Sequence, residues 1–230
     1  MSVSIAKEQT TAESPIDRLR RLVTARVVQL QRAYRANEAG AVSELARMRR
    51  GIGRGIGWNA DLVGLTVAPF YDEIPDGKFI PTEPTDEERA AYAALTLFAA
   101  HQQSQRSGSA HRAGYSFGRS ARMLRAAKKS DQGVVRRFEA LATASTFEGL
   151  EYNARGLIQQ FRQEQIPLDY GQFAVDLYLL QRPETAKLVR RRWGIDFYRL
   201  GTGSASEPAE QPEPHSHHDN PDLNPGNEDH

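Results

Sequence analysis

The sequence predicts an all-α fold: a compact bundle of about eight or nine helices in two small helical subdomains, followed by a disordered acidic C-terminal tail. Three observations carry that expectation. Apolar residues recur three and four positions apart in segment after segment, the spacing of one helix face. The segments open on cap residues or proline. No stretch alternates with period two for long, and no hairpin turn separates runs of β-branched residues. The 230 residues suffice for one domain or two small ones. The subdomains are drawn over 14–130 and 131–200, between a flexible N-terminus (1–13) and the tail (201–230).

The elements follow in chain order. Ser14, Pro15 and Asp17 form a helix start, and Ile16, Leu19, Val23, Val27, Leu30 and Tyr34 form its apolar stripe. "AVSELARMRR" is a second helix that stops at Gly51. "GIGRGIGW" lacks the Gly-Lys-Ser/Thr ending of a P-loop and the strand of a dinucleotide fingerprint, so it reads as a connection. "ADLVGLTVAPFYDEI" is a third helix broken near Pro69, and "PDGKFIPTEP" is loop. Thr85 and Glu88 make a capping box for "RAAYAALTLFAAHQQSQ". After a loop with Gly108 and Gly114 come "SFGRSARMLRAAKK" and "VVRRFEALATA". Ser145 and Glu148 then suggest a second capping box, before "TFEGLEYNARGLIQQFRQE". Asp169 caps "DYGQFAVDLYLLQ", and Pro183 opens "PETAKLVRRRWGIDFYRL", where Trp193 and Phe197 read as core or subunit contacts.

The formal net charge of +1 conceals a division. The tail carries seven acids and no Lys or Arg, leaving 30 basic and 22 acidic residues ahead of it. Of the basic residues 25 are Arg, whose planar fork suits phosphate, although codon usage is a plain alternative for that choice. Cysteine is absent, which excludes disulfides, thiolate zinc sites and cysteine nucleophiles. The N-terminus lacks the apolar region of a signal peptide and no apolar run is long enough to span a membrane, so a soluble, cytoplasmic protein is expected.

Catalytic signals are weak. His101 lies in an Ala/Leu helix and reads as structural, and neither it nor His111 belongs to a Ser/His/Asp pattern. The acids mostly sit at helix starts, where capping accounts for them. His215, His217 and His218 in the tail are adventitious metal ligands at most. No enzyme, cofactor or metal is expected.

One segment stands out. Between Arg106 and Lys129 there are seven cationic side chains, and no Asp or Glu occurs between Glu88 and Asp131. On a helix over 117–129, Phe117, Ser120, Met123, Leu124 and Ala127 form a core stripe. Arg119, Arg122, Arg125, Lys128 and Lys129 form a cationic ridge on the other side. Uncompensated like charges at helical spacing repel, which a polyanion alongside would relieve; an ordinary solvated face is the alternative. Further clusters occur at Arg47, Arg49, Arg50 and Arg54, at Arg136 and Arg137, and at Arg190 to Arg192. No RNA-recognition signature, zinc finger or aromatic stacking platform is evident, so contact to the phosphate backbone is the expectation.

Six segments in order, "LARMRRG", "LFAAHQ", "SFGRSARMLR", "VRRFEALATA", "IPLDYGQFAVDL" and "VRRRWGIDFY", resemble the CasB family, the small subunit of the type I-E CRISPR surveillance complex Cascade. The resemblance spans about 15–200 and leaves out the tail. It implies an all-helical, non-catalytic protein. It also implies partners: other Cascade subunits with their guide RNA, a second copy of the chain set head to tail, and the target and displaced DNA strands of the R-loop. No membrane is involved. The matched segments point to Arg119, Arg122, Arg125 and Lys129, then Arg47, Arg50, Arg136 and Arg137, as nucleic-acid contacts. Lys128 and Arg54 join them, and Arg106 and Arg112 sit in a glycine-flanked loop that could close on a strand. A free-standing helical DNA-binding regulator and a basic adaptor for acidic proteins remain the alternatives.

Overall fold

Helix punctuation sets most of the architecture. The computed structural model describes residues 13–72, 81–128 and 131–199, and within them lie nine α-helices, one 3-10 turn and no strand. The N-terminus over 1–13, the loop over 75–84, Lys129 and the acidic tail with its histidines lie wholly or mainly outside the described residues.

Helix α1 (Pro15–Arg35) starts where the Ser14 hydroxyl accepts the Asp17 N–H, and buries Leu19, Val23, Val27, Leu30 and Tyr34. Helix α2 (Ala39–Arg49) stops before Gly51, where a Cβ would lie 2.6 Å from the Tyr92 hydroxyl. Close approach, not a left-handed turn, therefore demands glycine there. Helix α3 (Ala60–Thr66) ends ahead of a 3-10 turn (Ala68–Phe70) that contains the proline. The Thr85–Glu88 capping box opens α4 (Asp86–Gln102). Then come α5 (Phe117–Ala127), α6 (Gln132–Ala142) and α7 (Phe147–Gln163). The Asp169 carboxylate caps α8 (Tyr170–Leu180), and Pro183 opens α9 (Pro183–Tyr198).

Two details depart from the sequence reading. Helix α7 begins one residue later than the Ser145–Glu148 pattern suggests: Thr146 is the N-cap and its hydroxyl accepts the Gly149 N–H at 3.1 Å. The third helical position is then a glycine, which has no side chain to close a box. On α5 the buried face is Phe117, Gly118, Ser120, Ala121 and Leu124, while Met123 is half-buried and Ala127 exposed. That face is turned by roughly 70° from the expected stripe, toward Arg122 and Arg125. The cause is a close crossing: a Cβ on Gly118 would stand 2.3 Å from the Trp193 carbonyl oxygen in α9.

Helices α1 and α4 pack along α8, α2 lies on α4, α7 bridges α4 and α6, and α5 lies on α9. One buried cluster runs from Leu19 in α1 to Phe197 in α9. Helix α4 is buried nearly all round, as its Ala and Leu content requires. The Phe117 ring stacks on Phe173 and Trp193 with centroids 5.2 and 4.9 Å away, which fixes the start of α5 in the core. Trp193 and Phe197 are both fully buried.

Candidate nucleic-acid interface

The loop that feeds α5 is stitched down along its length. Gln31 Oε1 accepts the His111 N–H at 2.8 Å, and Gln31 Nε2 donates to the His111 carbonyl at 3.2 Å. The Leu168 N–H donates to the Ala110 carbonyl at 2.9 Å and the Arg112 N–H to the Leu168 carbonyl at 3.3 Å, an isolated parallel bridge. Asp169 Oδ2 accepts the Gly114 N–H at 2.8 Å, and Gly114 has the positive φ of +78° that favours glycine. These bonds tie down the backbone on both sides of Arg112, at Ala110 and at Gly114.

The cations of this segment fall into two states. The Arg112 and Arg119 guanidinium carbons both stand over the Tyr115 ring, at 5.0 and 3.9 Å from its centroid. Arg119 also donates to the Gly114 carbonyl at 3.2 Å, and Arg122 to the Arg199 carbonyl at 3.3 Å. None of these three pairs with a carboxylate among the described residues. Arg125 and Lys128 do: Arg125 reaches Asp131 at 3.6 Å and Lys128 reaches Glu164 at 2.5 Å. The ridge is thus acid-free along its own helix but partly compensated by its neighbours. Arg106 lies apart, with its guanidinium carbon over the Tyr34 ring at 4.4 Å from the centroid and a donation to the Tyr34 carbonyl at 3.1 Å.

The other predicted residues lie in two further places. Arg47 pairs with Asp61 at 2.6 Å, Arg50 is exposed at the end of α2, and Arg54 lies over the half-exposed Trp58 ring at 4.3 Å. The glycine loop beside them gives its Gly53 N–H to Glu151 Oε1 at 3.2 Å, and burial pushes the Glu151 carboxyl above the usual range. On α6, Arg136 and Arg137 are both exposed, and Arg137 donates to the Gly133 carbonyl at 3.3 Å. Arg155 on α7, which carried no sequence signal of its own, lines one cleft with Arg54 and a second with Arg137. Tyr152 lies between those clefts and is 78% exposed, although the sequence suggested no aromatic platform.

Buried titratable groups serve the fold. His101 is fully buried with Nδ1 3.1 Å from the Tyr170 hydroxyl, and burial holds it down to about 3. His111 Nδ1 accepts the Tyr170 N–H at 3.1 Å, which fixes a neutral ring, and burial lowers its pKa as well. Neither is placed to move a proton to or from a substrate. Among the described residues no group of three or more His, Asp or Glu side chains could hold a metal ion. No helix among them is long and apolar enough to cross a membrane.

Comparison with known proteins gives one consistent answer. The family model described as CRISPR-associated protein Cse2 matches residues 44–198. The crystal structure of CasB from Thermobifida fusca is similar at 35% identity and a TM-score of 0.66, covering 78% of this chain and 97% of that one. A Cse2-family CRISPR-associated protein from Thermus thermophilus shares the fold at 20% identity and a TM-score of 0.55, covering 81% and 99%. M. ruber CasB does so at 22% and 0.56, covering 81% and 93%. No curated protein matches the chain.

Proposed function

The chain belongs to the Cse2 (CasB) family of CRISPR-associated proteins, the non-catalytic small subunits of Cascade, and from that premise we propose that it steadies the separated DNA strands of the R-loop by holding their phosphate backbones. The observation that carries the reading is the pair Arg112 and Arg119 on Tyr115, with Arg122 on the same helix as Arg119, all without a carboxylate partner among the described residues. Guanidinium groups already held over an aromatic ring lose less freedom on meeting a phosphate than free ones do. Such contacts do not read sequence, which suits a subunit of a complex whose guide RNA reads it by pairing. Exchange of a DNA duplex for an RNA–DNA hybrid is nearly balanced, so modest backbone contacts are enough to tip it. Cytoplasmic action, a second copy of the chain and neighbouring guide-bearing subunits belong to the same reading.

Reconstitution tests it. Cascade assembled with the triple variant Arg112→Ala, Arg119→Ala, Arg122→Ala is expected to open target DNA less stably, evenly across target sequences, and with a shallower dependence on salt. A complex that forms equally stable R-loops with the triple variant, or without this chain, would remove the proposal.

A further inference from the structure

Helix α7 carries an aromatic side chain that the core does not use. Tyr152 is 78% exposed, the most open of the large apolar side chains among the described residues. Two of its four neighbours one turn away on the same face, positions 149 and 156, are glycine, which leaves the ring little covered by its own helix. Gly156 has no packing reason to be glycine, because a Cβ there would meet nothing within 4 Å. A mid-helix glycine nevertheless costs stability relative to alanine.

The surroundings fit a strand. Tyr152 and Arg155 line both a cleft of about 540 Å³, toward the glycine loop, and one of about 330 Å³ across to α6. The smaller cleft is bounded by Arg137, Tyr152, Asn153, Arg155, Gly156 and Gln159, two cations, three polar or aromatic groups and no acid. The Arg155 side chain makes no hydrogen bond or ion pair among the described residues, although its charge acts on Glu151 one turn back. Asn153 gives its N–H groups to the Gly149 and Ala140 carbonyls at 2.9 and 3.3 Å, which leaves its oxygen as a free acceptor. The larger cleft carries three acids: Glu151 is engaged by Gly53, while Glu83 and Glu148 set an anionic limit, so the strand is placed in the smaller, acid-free cleft.

We propose that Tyr152 is a stacking platform for a base of an unpaired nucleic-acid strand whose phosphates are held by Arg155 and Arg137. The inference rests on the backbone-binding reading above and adds to it a base contact that is indifferent to sequence, since every base has a flat face. An unpaired strand is the occupant that uses both features. Bases of a duplex are already stacked on each other, and an acidic peptide would use the arginines but not the ring.

Three probes and the full-length chain separate the possibilities by fluorescence anisotropy at low salt: a labelled single-stranded DNA, the same length of abasic DNA, and a duplex. Tyr152→Ala is expected to weaken the base-bearing strand roughly tenfold, leave the abasic strand and the duplex unchanged, and be rescued by Tyr152→Trp. Thermal unfolding should not shift, because the side chain is exposed. Unchanged single-strand affinity, or an equal loss on the abasic strand, overturns the stacking role while leaving backbone binding intact. Absence of salt-dependent binding to any of the three probes by the unmodified chain overturns the backbone reading and this inference together. A polyglutamate peptide that binds the unmodified chain, is lost with Arg155→Ala and Arg137→Ala and is unaffected by Tyr152→Ala would assign the groove to acidic protein instead.

Discussion

The Trp193 indole N–H donates to Asp176 Oδ2 at 2.6 Å, a buried bond that ties α9 to α8. Asp176 is 1% exposed, and its other oxygen takes the Gln172 amide at 2.7 Å and the Arg192 guanidinium. The bond matters to the basic face because α5 crosses α9 at Trp193, so the carboxylate sets the seat on which Arg119 and Arg122 are presented. Loss of one partner in a buried charged network leaves the others unsatisfied. Asp176→Ala is therefore expected to cost about 3 kcal/mol in urea unfolding, and Asp176→Asn, which keeps an acceptor, clearly less. Equal costs for the two variants would contradict this account.

The pH dependence of stability combines two buried groups of opposite sign. Burial holds His101 at about 3 against 6.5, so between those values the unfolded chain binds more protons. That contribution is complete above 6.5 and is lost as pH falls; His111, lowered by the same cause, acts in the same direction. Burial, opposed by Arg192, pushes Asp176 up to about 6 from 3.8, so between those values the folded chain binds more protons. Its contribution is complete below 3.8 and is lost as pH rises to 6. The two slopes oppose each other across the shared window, each at most about 1.4 kcal/mol per pH unit. Unfolding midpoints measured from pH 4 to 7 are expected to show a steeper acid loss in Asp176→Asn and a flatter one in His101→Gln.

Two helix glycines should respond to alanine with opposite signs. At Gly118 the added methyl would meet the Trp193 carbonyl oxygen at 2.3 Å and Asp196 Cβ at 2.8 Å, both on a fixed neighbouring helix. Overpacking of that kind costs about 1–3 kcal/mol. At Gly156 the methyl meets nothing, and alanine is the better helix former by about 1 kcal/mol. A lower melting temperature for Gly118→Ala and a higher one for Gly156→Ala are the expected results. A gain at Gly118 would show that α5 and α9 do not approach as closely as described.

The contrast between these glycines shows what the sequence could and could not disclose. Caps are local, so Ser14, Thr85 and Asp169 announced their helices correctly. The apolar period of α1 was legible for the same reason, since one side of that helix faces water throughout. On α5 the helix was legible but its rotation was not, because a glycine contact with α9 sets it and no periodicity encodes that partner. The partners of the arginines are equally non-local. Arg125 and Lys128 find Asp131 and Glu164, and Arg112 shares Tyr115 with Arg119, only once the chain is folded. The exposure of Tyr152 is not legible in sequence, because an aromatic at helical spacing is ordinarily core, as Trp193 and Phe197 are.

Those acquired partners yield a last prediction, one that raises affinity. Arg125–Asp131 and Lys128–Glu164 are ion pairs with side chains roughly a third to a half exposed, at 3.6 and 2.5 Å. Pairs of that exposure contribute about 0–1 kcal/mol to stability, so removing the acid should barely move the melting temperature. Its effect on a polyanion is larger in relative terms. A carboxylate about 7 Å from a phosphate repels it by about 0.6 kcal/mol even at the dielectric of water, roughly threefold in affinity. Asp131→Asn and Glu164→Gln are each expected to tighten non-specific DNA binding by about that factor at low salt. Each should also steepen the logarithmic salt dependence by up to about 0.7 on a single strand, as one more cation displaces a counterion. Tighter binding with an unchanged salt slope would mean that the freed cations do not touch phosphate. Unchanged binding in both variants would place Arg125 and Lys128 outside the interface and leave Arg112, Arg119 and Arg122 as the backbone contacts of this segment.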